Sequence, residues 1–379
     1  MAEEKYVEYK GGSLRRGRSP LMWFLDTLLA LLTLALVVAM PMIYLVPYVG
    51  PARMWLFPVA ALAAPALYVL TAVLACYWIL RWRLGRAGLL LLLLAVGLFK
   101  VPLFWRPQFG RVYGTEKYGR STVKVLSYNV RYFYDTEGGS CAGRVAELID
   151  SLEPDIVCLQ EFNPRLAGLS ERFGQLEKKY HAARFGLGAD AEPSQAILSR
   201  HRILRSGVLL SPESSVWADV QVGDDTLRVF NNHLRTTSIK AADNDYITGH
   251  GFIGDTARET KLRSMAGRLR RNSILRAEQV DSIAGAMDGM ARERRLVCGD
   301  FNDTPMSYVY RKMARGLDDA FAQCGEGYSY TYRGFFDMLR IDYVLTAPDL
   351  EVLSYEELRT GCSDHYPLFV RLKVKAMKN

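Results

Sequence analysis

The sequence predicts an α/β domain over residues 122–379 that follows an N-terminal bundle of about three transmembrane helices. Long apolar runs are confined to residues 21–105, whereas the rest of the 379-residue chain has the composition of a soluble domain. In that second part, short β-rich runs alternate with segments of helical periodicity, which is typical of α/β proteins. Residues 106–121 carry three glycines among charged residues and are predicted to be a linker.

The apolar runs cover residues 21–46, 54–80 and 88–105. The first two are long enough to cross a hydrocarbon core of about 30 Å. The third is weaker, because a lysine and a proline interrupt its end. A cleaved signal peptide is not expected, since the first run is too long and further runs follow it. The acid in the first run, Asp26, is expected near the membrane edge, where an interfacial position is favoured over a functional one.

The basic residues that flank the runs predict the orientation. Residues 1–20 contain five Lys or Arg and residues 81–86 contain three, but only Arg53 lies between the first two runs. Cytoplasmic loops are enriched in Lys and Arg, so residues 1–20 and 81–86 are expected in the cytoplasm of a multi-pass plasma (inner) membrane protein. With three spans the soluble domain is extracytoplasmic, and with only two it is cytoplasmic.

The net charge of +8 belongs to the membrane-flanking part of the chain. Residues 121–379 contain 34 Lys and Arg against 35 Asp and Glu. Proteins that bind duplex nucleic acid usually have a basic surplus, so this balance argues against a non-specific nuclease, although a local basic groove would be compatible with it. The six cysteines show no metal-ligand spacing. Two of the three residues Cys141, Cys324 and Cys362 could form a disulfide, which spacing alone does not decide.

Two strand ends in the first half of the soluble domain carry polar side chains. One β-rich run ends near Asn129, and a buried run over residues 156–159 is followed by Glu161. A helix over residues 144–152 connects them, so the two strands are expected to be parallel neighbours. Taken singly, each residue could simply begin a turn or mark a solvated strand end. Their coincidence favours a metal-binding pair.

The middle of the domain is predicted to contain a helix over residues 164–180 and a hairpin whose second strand ends near His233. Residues 236–267 are predicted to be a long loop that could cover a site as a lid. Six basic residues follow between positions 261 and 276. A solvated helix face is favoured for them over contact with anionic lipid or substrate.

The most distinctive stretch comes at residues 297–305. A buried strand run is stopped by Gly299, after which Asp300 and Asn302 point to the same face, because side chains alternate along a strand. An anionic oxygen beside an amide can hold a water or a phosphoryl oxygen, although both residues are also ordinary in turns. Two later stretches carry further candidates: Asp342 in a strand, and Asp364 and His365 before a proline.

Together these residues resemble the endonuclease/exonuclease/phosphatase superfamily over residues 121–375. The resemblance is carried by Asn129, Glu161, His233, Gly299-Asp300-Phe301-Asn302, Ile341-Asp342-Tyr343 and Ser363-Asp364-His365-Tyr366-Pro367. It implies a four-layer αββα sandwich (deoxyribonuclease I-like), in which two mixed sheets pack face to face with helices outside. The membrane part is not covered by it.

The resemblance also implies a metal-dependent phosphoester hydrolase that uses Mg²⁺ or Mn²⁺. Glu161 would be the main metal ligand, Asn129 would support it, and Asp364 would lie beside the metal. Such a set suits a hard divalent cation, which prefers oxygen ligands.

The catalytic roles are likewise implied by the resemblance. Asp300 and Asn302 would orient or deprotonate the attacking water. His365, held by Asp342, would contact the phosphoryl oxygens, and His233 would stabilise the transition state or assist the leaving group. Charge develops on oxygen during phosphoryl transfer, so imidazoles and a cation are useful there.

The substrate stays open at this point. The membrane anchor and the neutral soluble domain favour a lipid-derived or small phosphodiester. An extracytoplasmic endo- or exonuclease is the runner-up, and a catalytically inactive binding protein on the same fold is the third alternative. No protein partner is predicted.

Overall fold

The computed structural model describes residues 19–107, 122–135, 137–186, 194–237, 256–290, 294–334 and 337–375. Most of the predicted linker (108–121) and the larger part of the predicted loop (238–255) lie outside these residues.

Three apolar helices form the N-terminal bundle: α1 (Pro20–Leu45), α2 (Phe57–Leu80) and α3 (Leu84–Gly97). The third continues as a 3-10 helix to Leu103, which gives an apolar segment of 20 residues with a mean hydropathy of 2.0, close to the 2.2 of α2. All three are long and apolar enough to cross a membrane. Their outer faces expose many large aliphatic side chains, as lipid-facing helices do.

The one acid of α1 is paired inside the bundle. Asp26 accepts hydrogen bonds from Tyr77 at 2.6 Å and from Arg81 Nη2, also at 2.6 Å. A charge in apolar surroundings needs such partners, because burying it alone is costly. Asp26 therefore ties α1 to the end of α2.

The remaining chain forms short elements in the following order: β1 (Trp105–Arg106), β2 (Thr122–Asn129), α4 (Ala142–Leu152), β3 (Ile156–Phe162), α5 (Pro164–Leu169), α6 (Glu171–Glu177), β4 (His181–Phe185), β5 (Ser194–Ser199), β6 (Ile203–Val208), β7 (Ser215–Val222), β8 (Asp225–His233), α7 (Thr256–Gly289), β9 (Arg295–Asp300), α8 (Tyr308–Met313), β10 (Asp318–Asp319), α9 (Ala320–Cys324), β11 (Gly327–Tyr328), β12 (Asp342–Thr346), β13 (Leu350–Glu357) and β14 (Leu368–Val374).

Two six-stranded mixed sheets dominate the domain, in the orders β13-β14-β2-β3-β5-β4 and β10-β12-β9-β8-β7-β6. Each contains one parallel pair, β2 with β3 and β8 with β9. Aliphatic side chains from both sheets form the core between them. Helices α4 to α6 cover the outer face of the first sheet, and α7 and α8 cover that of the second. The predicted four-layer αββα sandwich is therefore confirmed.

Three local expectations need correction. The helix expected over residues 164–180 is two helices, because Ser170 is extended and caps α6 by accepting from the Phe173 N–H. Residues 256–267, expected in a loop, begin the 34-residue helix α7, whose sequence contains no proline. The cysteines considered for pairing are free. Cys141 Sγ instead donates to the Cys362 carbonyl at 3.0 Å.

Candidate active site

Strand register brings the candidate residues to one edge of the sandwich. Asn129, the last residue of β2, lies opposite Gln160 in the parallel pair with β3. His233, the last residue of β8, lies opposite Asp300, the last of β9. The antiparallel strand β12 places Asp342 opposite the same Asp300. Residues far apart in the chain therefore meet because their strands end at the same level.

Unusual backbone conformations shape this edge. Glu161 has φ +48° at an irregularity in the pairing of β3 with β5, and Asn302 has φ +52°. Non-glycine residues in the left-handed region cost of order 1 kcal/mol or more, and they cluster at functional sites. Gly299 has φ +129°, and a Cβ there would overlap the backbone oxygen of Asn232. Only glycine allows β9 to approach β8 this closely.

Asp300 is buried at the centre of a hydrogen-bond network. Its Oδ1 accepts from the Asn302 N–H at 2.8 Å. Its Oδ2 accepts from Asn302 Nδ2 at 2.9 Å and from Asn129 Nδ2 at 3.1 Å. The same Asn129 amide also donates to Glu161 Oε1 at 3.1 Å. One amide thus holds the two carboxylates near each other and fixes their orientation.

Two imidazoles flank the carboxylates. His365 Nδ1 contacts Asp342 Oδ2 at 2.9 Å, so its Nε2 faces Asp300 Oδ2 at 3.7 Å. His233 Nε2 lies 3.4 Å from Glu161 Oε1 and 3.9 Å from Asp300 Oδ2. The arrangement alternates negative and positive groups around one point. A buried carboxylate behind an imidazole fixes the ring and favours its charged form.

The surroundings of these groups shift their pKa values in different directions. Burial raises the pKa of Asp300 to about 6, against the opposing effect of His365. Burial also raises the pKa of Glu161, but the contacts with His233 and Asn129 outweigh it and lower the pKa to about 2. Burial lowers the pKa of His365, but Asp342 and Asp300 outweigh it and raise the pKa to about 10.

For His233 the balance is similar. Burial lowers its pKa, and the contacts with Glu161 and Asp300 outweigh the loss of hydration, so that the pKa is raised. At neutral pH Glu161 is therefore anionic and His365 cationic, while Asp300 is anionic but more basic than an ordinary carboxylate. Perturbed values of this kind are typical of catalytic groups.

These groups open into a cavity of about 1040 Å³. Asp364 lies on its wall, with a side chain that is about one-third exposed and 4.0 Å from Arg131 Nε. Arg333 also lines the cavity, and its backbone N–H donates to the Asp364 carbonyl at 2.8 Å. Anionic oxygens and cationic side chains thus face the same space.

The donor set fits a hard cation. Glu161, Asp300 and Asp364 offer carboxylate oxygens to the cavity, and such oxygens are the preferred ligands of Mg²⁺. A buried group of Asp300, Asp342 and His365 also has ligand atoms within 4.8 Å of one another. In that group, however, Asp342 is engaged with the ring of His365. Asn129 Oδ1 accepts from the Arg131 N–H at 3.0 Å, so its Nδ2 faces the carboxylates.

All eight residues selected from the sequence lie at this edge. Asn129, Glu161, His233, Asp300, Asn302, Asp342 and His365 form one connected network, and Asp364 lies on the cavity wall.

Sequence reasoning missed other residues of the cavity wall, notably Arg131, Tyr332, Arg333 and Leu62. Arg131 follows the strand end at Asn129 and could have been found from that position. The ring of Tyr332 lies at an angle to that of His365, with centroids 5.0 Å apart, but no pattern in the sequence indicates it. Leu62 lies in α2, where it looks like any other apolar residue of a membrane helix.

A sequence model of the Endonuclease/Exonuclease/phosphatase family matches residues 126–365, which contain every one of the eight residues. The chain belongs to the endonuclease/exonuclease/phosphatase family. Members of this family are hydrolases that act on phosphoesters. A second model, of a domain of unknown function (DUF8431), matches residues 26–104. No curated protein sequence matches the chain significantly.

Several solved structures are similar to this chain. A family protein from Bacteroides thetaiotaomicron is 19% identical over 67% of this chain and 98% of that one, with a TM-score of 0.50. A family protein from Bacteroides vulgatus is 19% identical over 67% and 99%, with a TM-score of 0.48. A mannosyl-6-phosphatase from Bacteroides thetaiotaomicron is 18% identical over 66% and 99%, with a TM-score of 0.47. At such identities the first similarity establishes a common fold and nothing finer.

Proposed function

We propose that the protein is a membrane-anchored phosphoester hydrolase that depends on a divalent cation, Mg²⁺ or Mn²⁺. The observation that carries this proposal is the buried Asp300, whose carboxylate is held by Asn302 and Asn129 and whose pKa is raised to about 6. A base of this kind is anionic at neutral pH and can accept a proton from water. The flanking imidazolium groups and the cavity supply the rest of a hydrolytic site.

In the proposed reaction, a water attacks phosphorus, the bond from phosphorus to the ester oxygen breaks, and Asp300 receives a proton of the water. Asn302 donates to both oxygens of Asp300 and so fixes the direction in which the base points. His365 is cationic and presents Nε2, because Asp342 occupies Nδ1. That N–H stabilises negative charge on the phosphoryl oxygens, and His233 gives a proton to the leaving oxygen.

A cation belongs in this scheme for an electrostatic reason. Glu161, Asp300 and Asp364 place negative charge beside the cavity that would receive an anionic phosphoester. Glu161 and Asp364 would hold the ion. Asn129 would not ligate it as the resemblance implies, because its Nδ2 faces Glu161 and Asp300; it would instead orient the two carboxylates. When bound, the cation offsets the repulsion between these carboxylates and the substrate and lowers the pKa of a bound water.

The substrate class follows from the charge balance and the anchor. The soluble domain has no basic surplus, which disfavours duplex nucleic acid, and the N-terminal bundle favours a lipid-derived or small phosphodiester. An extracytoplasmic nuclease remains the second candidate, because Arg131 and Arg333 line the cavity and could contact a nucleic-acid backbone.

We also propose that the domain faces away from the cytoplasm across the plasma membrane. The domain contacts the bundle at the end formed by Phe57 and Phe104, through Met306. The arginine-rich turn at residues 81–86 lies at the other end of α2, and such turns are typically cytoplasmic. An alkaline phosphatase fused to the C-terminus should be active in the periplasm, and an inactive fusion would contradict this orientation.

The activity is tested with the full-length protein in detergent. Bis-p-nitrophenyl phosphate and p-nitrophenyl phosphate distinguish diesterase from monoesterase, and plasmid DNA and RNA test the nuclease alternative. We expect hydrolysis of a nitrophenyl ester with Mg²⁺ or Mn²⁺ and its loss in EDTA. His365→Asn should lower the rate strongly. Undiminished hydrolysis by that variant, or in EDTA, would refute the assigned roles.

A further inference from the structure

One wall of the catalytic cavity belongs to a membrane helix. Leu62, in the first half of α2, lines the same cavity as Glu161, Asp300 and His365. It is half-buried and lies one residue beyond Ala61, which is fully buried against the catalytic domain. The site as described is therefore incomplete without the transmembrane bundle, although the catalytic groups all come from the soluble domain.

The contact between the two parts is specific. Pro65 lies inside α2 and has no N–H, so the carbonyl of Ala61, four residues earlier, lacks its usual helical donor. Thr304 Oγ1 donates to that carbonyl at 3.3 Å. Thr304 stands two residues after Asn302. The segment that follows the catalytic base is thus hydrogen-bonded directly to the membrane helix.

Apolar packing and further hydrogen bonds strengthen this contact. Met306 is fully buried among side chains of α1 and α2, including Met40 and Phe57. Arg340 Nη1 donates to the Leu103 carbonyl at 3.0 Å. Tyr328, which packs against the same cluster as Met306, donates through its hydroxyl to the carbonyl of residue 338, next to Leu339 on the cavity wall.

The depth of Leu62 places the cavity at the bilayer surface. Trp55 and Trp105 are about half exposed at this end of the bundle, where tryptophans typically mark the membrane–water interface. Leu62 lies five residues beyond the start of α2 at Phe57, which is about 7.5 Å along the helix axis at 1.5 Å per residue. This is the level at which lipid headgroups meet acyl chains.

The cavity wall combines apolar and cationic side chains, which match the hydrocarbon chain and the anionic phosphate of a lipid. It carries the aliphatic side chains of Leu62, Leu339 and Ile341 together with the cationic side chains of Arg131 and Arg333. A phosphoester at the Asp300 and His365 end leaves the aliphatic residues free to contact a hydrocarbon substituent. A purely polar substrate would leave these residues unused.

We propose that the substrate is a membrane lipid whose phosphoester enters the cavity from the bilayer while its hydrocarbon chain contacts Leu62. This inference rests on the proposed hydrolytic function and adds the source of the substrate. Membrane anchoring then confines enzyme and substrate to the same layer, which raises the effective concentration of the phosphoester at the site.

The test uses the full-length protein in nanodiscs of phosphatidylethanolamine and phosphatidylglycerol, with Mg²⁺ or Mn²⁺. Two pairs of esters differ only in chain length: 4-nitrophenyl dodecyl phosphate with 4-nitrophenyl ethyl phosphate, and dodecyl phosphate with ethyl phosphate. Release of nitrophenol or phosphate is measured. In whichever pair is cleaved, we expect the dodecyl ester to react at least about tenfold faster than the ethyl ester. Confinement of two partners can raise binding by about 10²–10⁴-fold, so tenfold is a conservative expectation.

Two substitutions of Leu62 locate the effect. Leu62→Trp should fill the apolar wall, and Leu62→Ala should remove it, so both should lower the ratio of the dodecyl rate to the ethyl rate. Val73→Trp is the matched control. This residue lies three turns deeper on nearly the same face of α2, has an exposed side chain and does not line the cavity. The control should keep the ratio of the unmodified protein.

The outcomes separate the two proposals. Hydrolysis of the ethyl esters with no preference for the dodecyl esters overturns the lipid substrate and leaves the hydrolytic function intact. A preference that both Leu62 variants retain overturns the role of α2 in the site. Hydrolysis of neither member of either pair refutes the hydrolytic function itself, and the lipid substrate with it.

Discussion

Asp300→Asn should separate catalysis from folding. The substitution removes the proposed base while keeping its shape, and general-base catalysis contributes about 10²–10⁴-fold in rate. That range corresponds to about 3–5 kcal/mol of transition-state stabilisation, at 1.36 kcal/mol for each factor of ten. We therefore expect the rate of nitrophenyl ester hydrolysis to fall by at least about two orders of magnitude.

Folding stability should change much less. The new amide places an N–H₂ group against donors from Asn302 and Asn129, which loses one or two hydrogen bonds at about 1 kcal/mol each. However, burial raises the pKa of Asp300 to about 6, so the buried anion is itself unfavourable in the folded state. A neutral side chain relieves that cost and offsets the lost hydrogen bonds.

Asp219→Asn provides the matched control. Asp219 is equally buried but lies away from the cavity, where it accepts from Arg228 Nε at 2.7 Å and from Arg228 Nη2 at 2.8 Å. Its neutralisation leaves a buried guanidinium poorly compensated, which typically costs about 3–5 kcal/mol of stability. Thermal unfolding and initial rates are measured for both variants. An Asp300→Asn protein that unfolds like Asp219→Asn, or that retains its rate, would refute the reasoning.

Three further predictions concern the site and its anchor. Gly299→Ala should lower the melting temperature by several degrees or prevent folding, because a Cβ meets the Asn232 backbone; an unchanged melting temperature would contradict this close approach. In EDTA, the unmodified protein should melt at a higher temperature than His365→Asn. This difference should be largest below about pH 6.5 and should shrink as pH rises toward 10, because the pKa of His365 is raised in the folded state. A difference that grows with pH would contradict that direction. Met306→Ala should cost about 2–5 kcal/mol in the unfolding free energy measured in detergent, because the side chain is fully buried in the bundle interface; a change below about 1 kcal/mol would indicate that the two parts pack loosely.

Local sequence patterns predict much of the secondary structure and the fold class. Apolar length identified the three helices that are long enough to cross a membrane, and the alternation of strands with helices identified the α/β class. The hairpin of β7 and β8 and the helix α4 occur where the sequence predicts them. These features depend on neighbouring residues, so a single sequence contains the necessary information. The four-layer arrangement came from the family resemblance, because periodicity alone does not say which faces pack together.

Other local expectations were wrong where a distant partner decides the outcome. The solvated face predicted for the basic residues at 261–276 is wrong for one of them. Arg263, Arg270 and Arg271 are exposed, whereas Arg276 is fully buried and its Nη2 donates to Asp303 at 3.1 Å. The sequence predicts one helix over residues 164–180, but Ser170 divides this segment into two helices. The left-handed conformation of Glu161 is likewise not visible in its neighbours, since it depends on how β3 pairs with β5.

The sequence by itself determined which side chains are available for the chemistry and that each stands at or near the end of a strand. The tertiary structure decided that Asp300 faces both His233 and His365, because strand register brings three separate strand ends to one level. It also decided that Leu62 lines the site. Such a contact depends on the position of α2 beside the catalytic segment, and no periodicity within either segment encodes the distance between them.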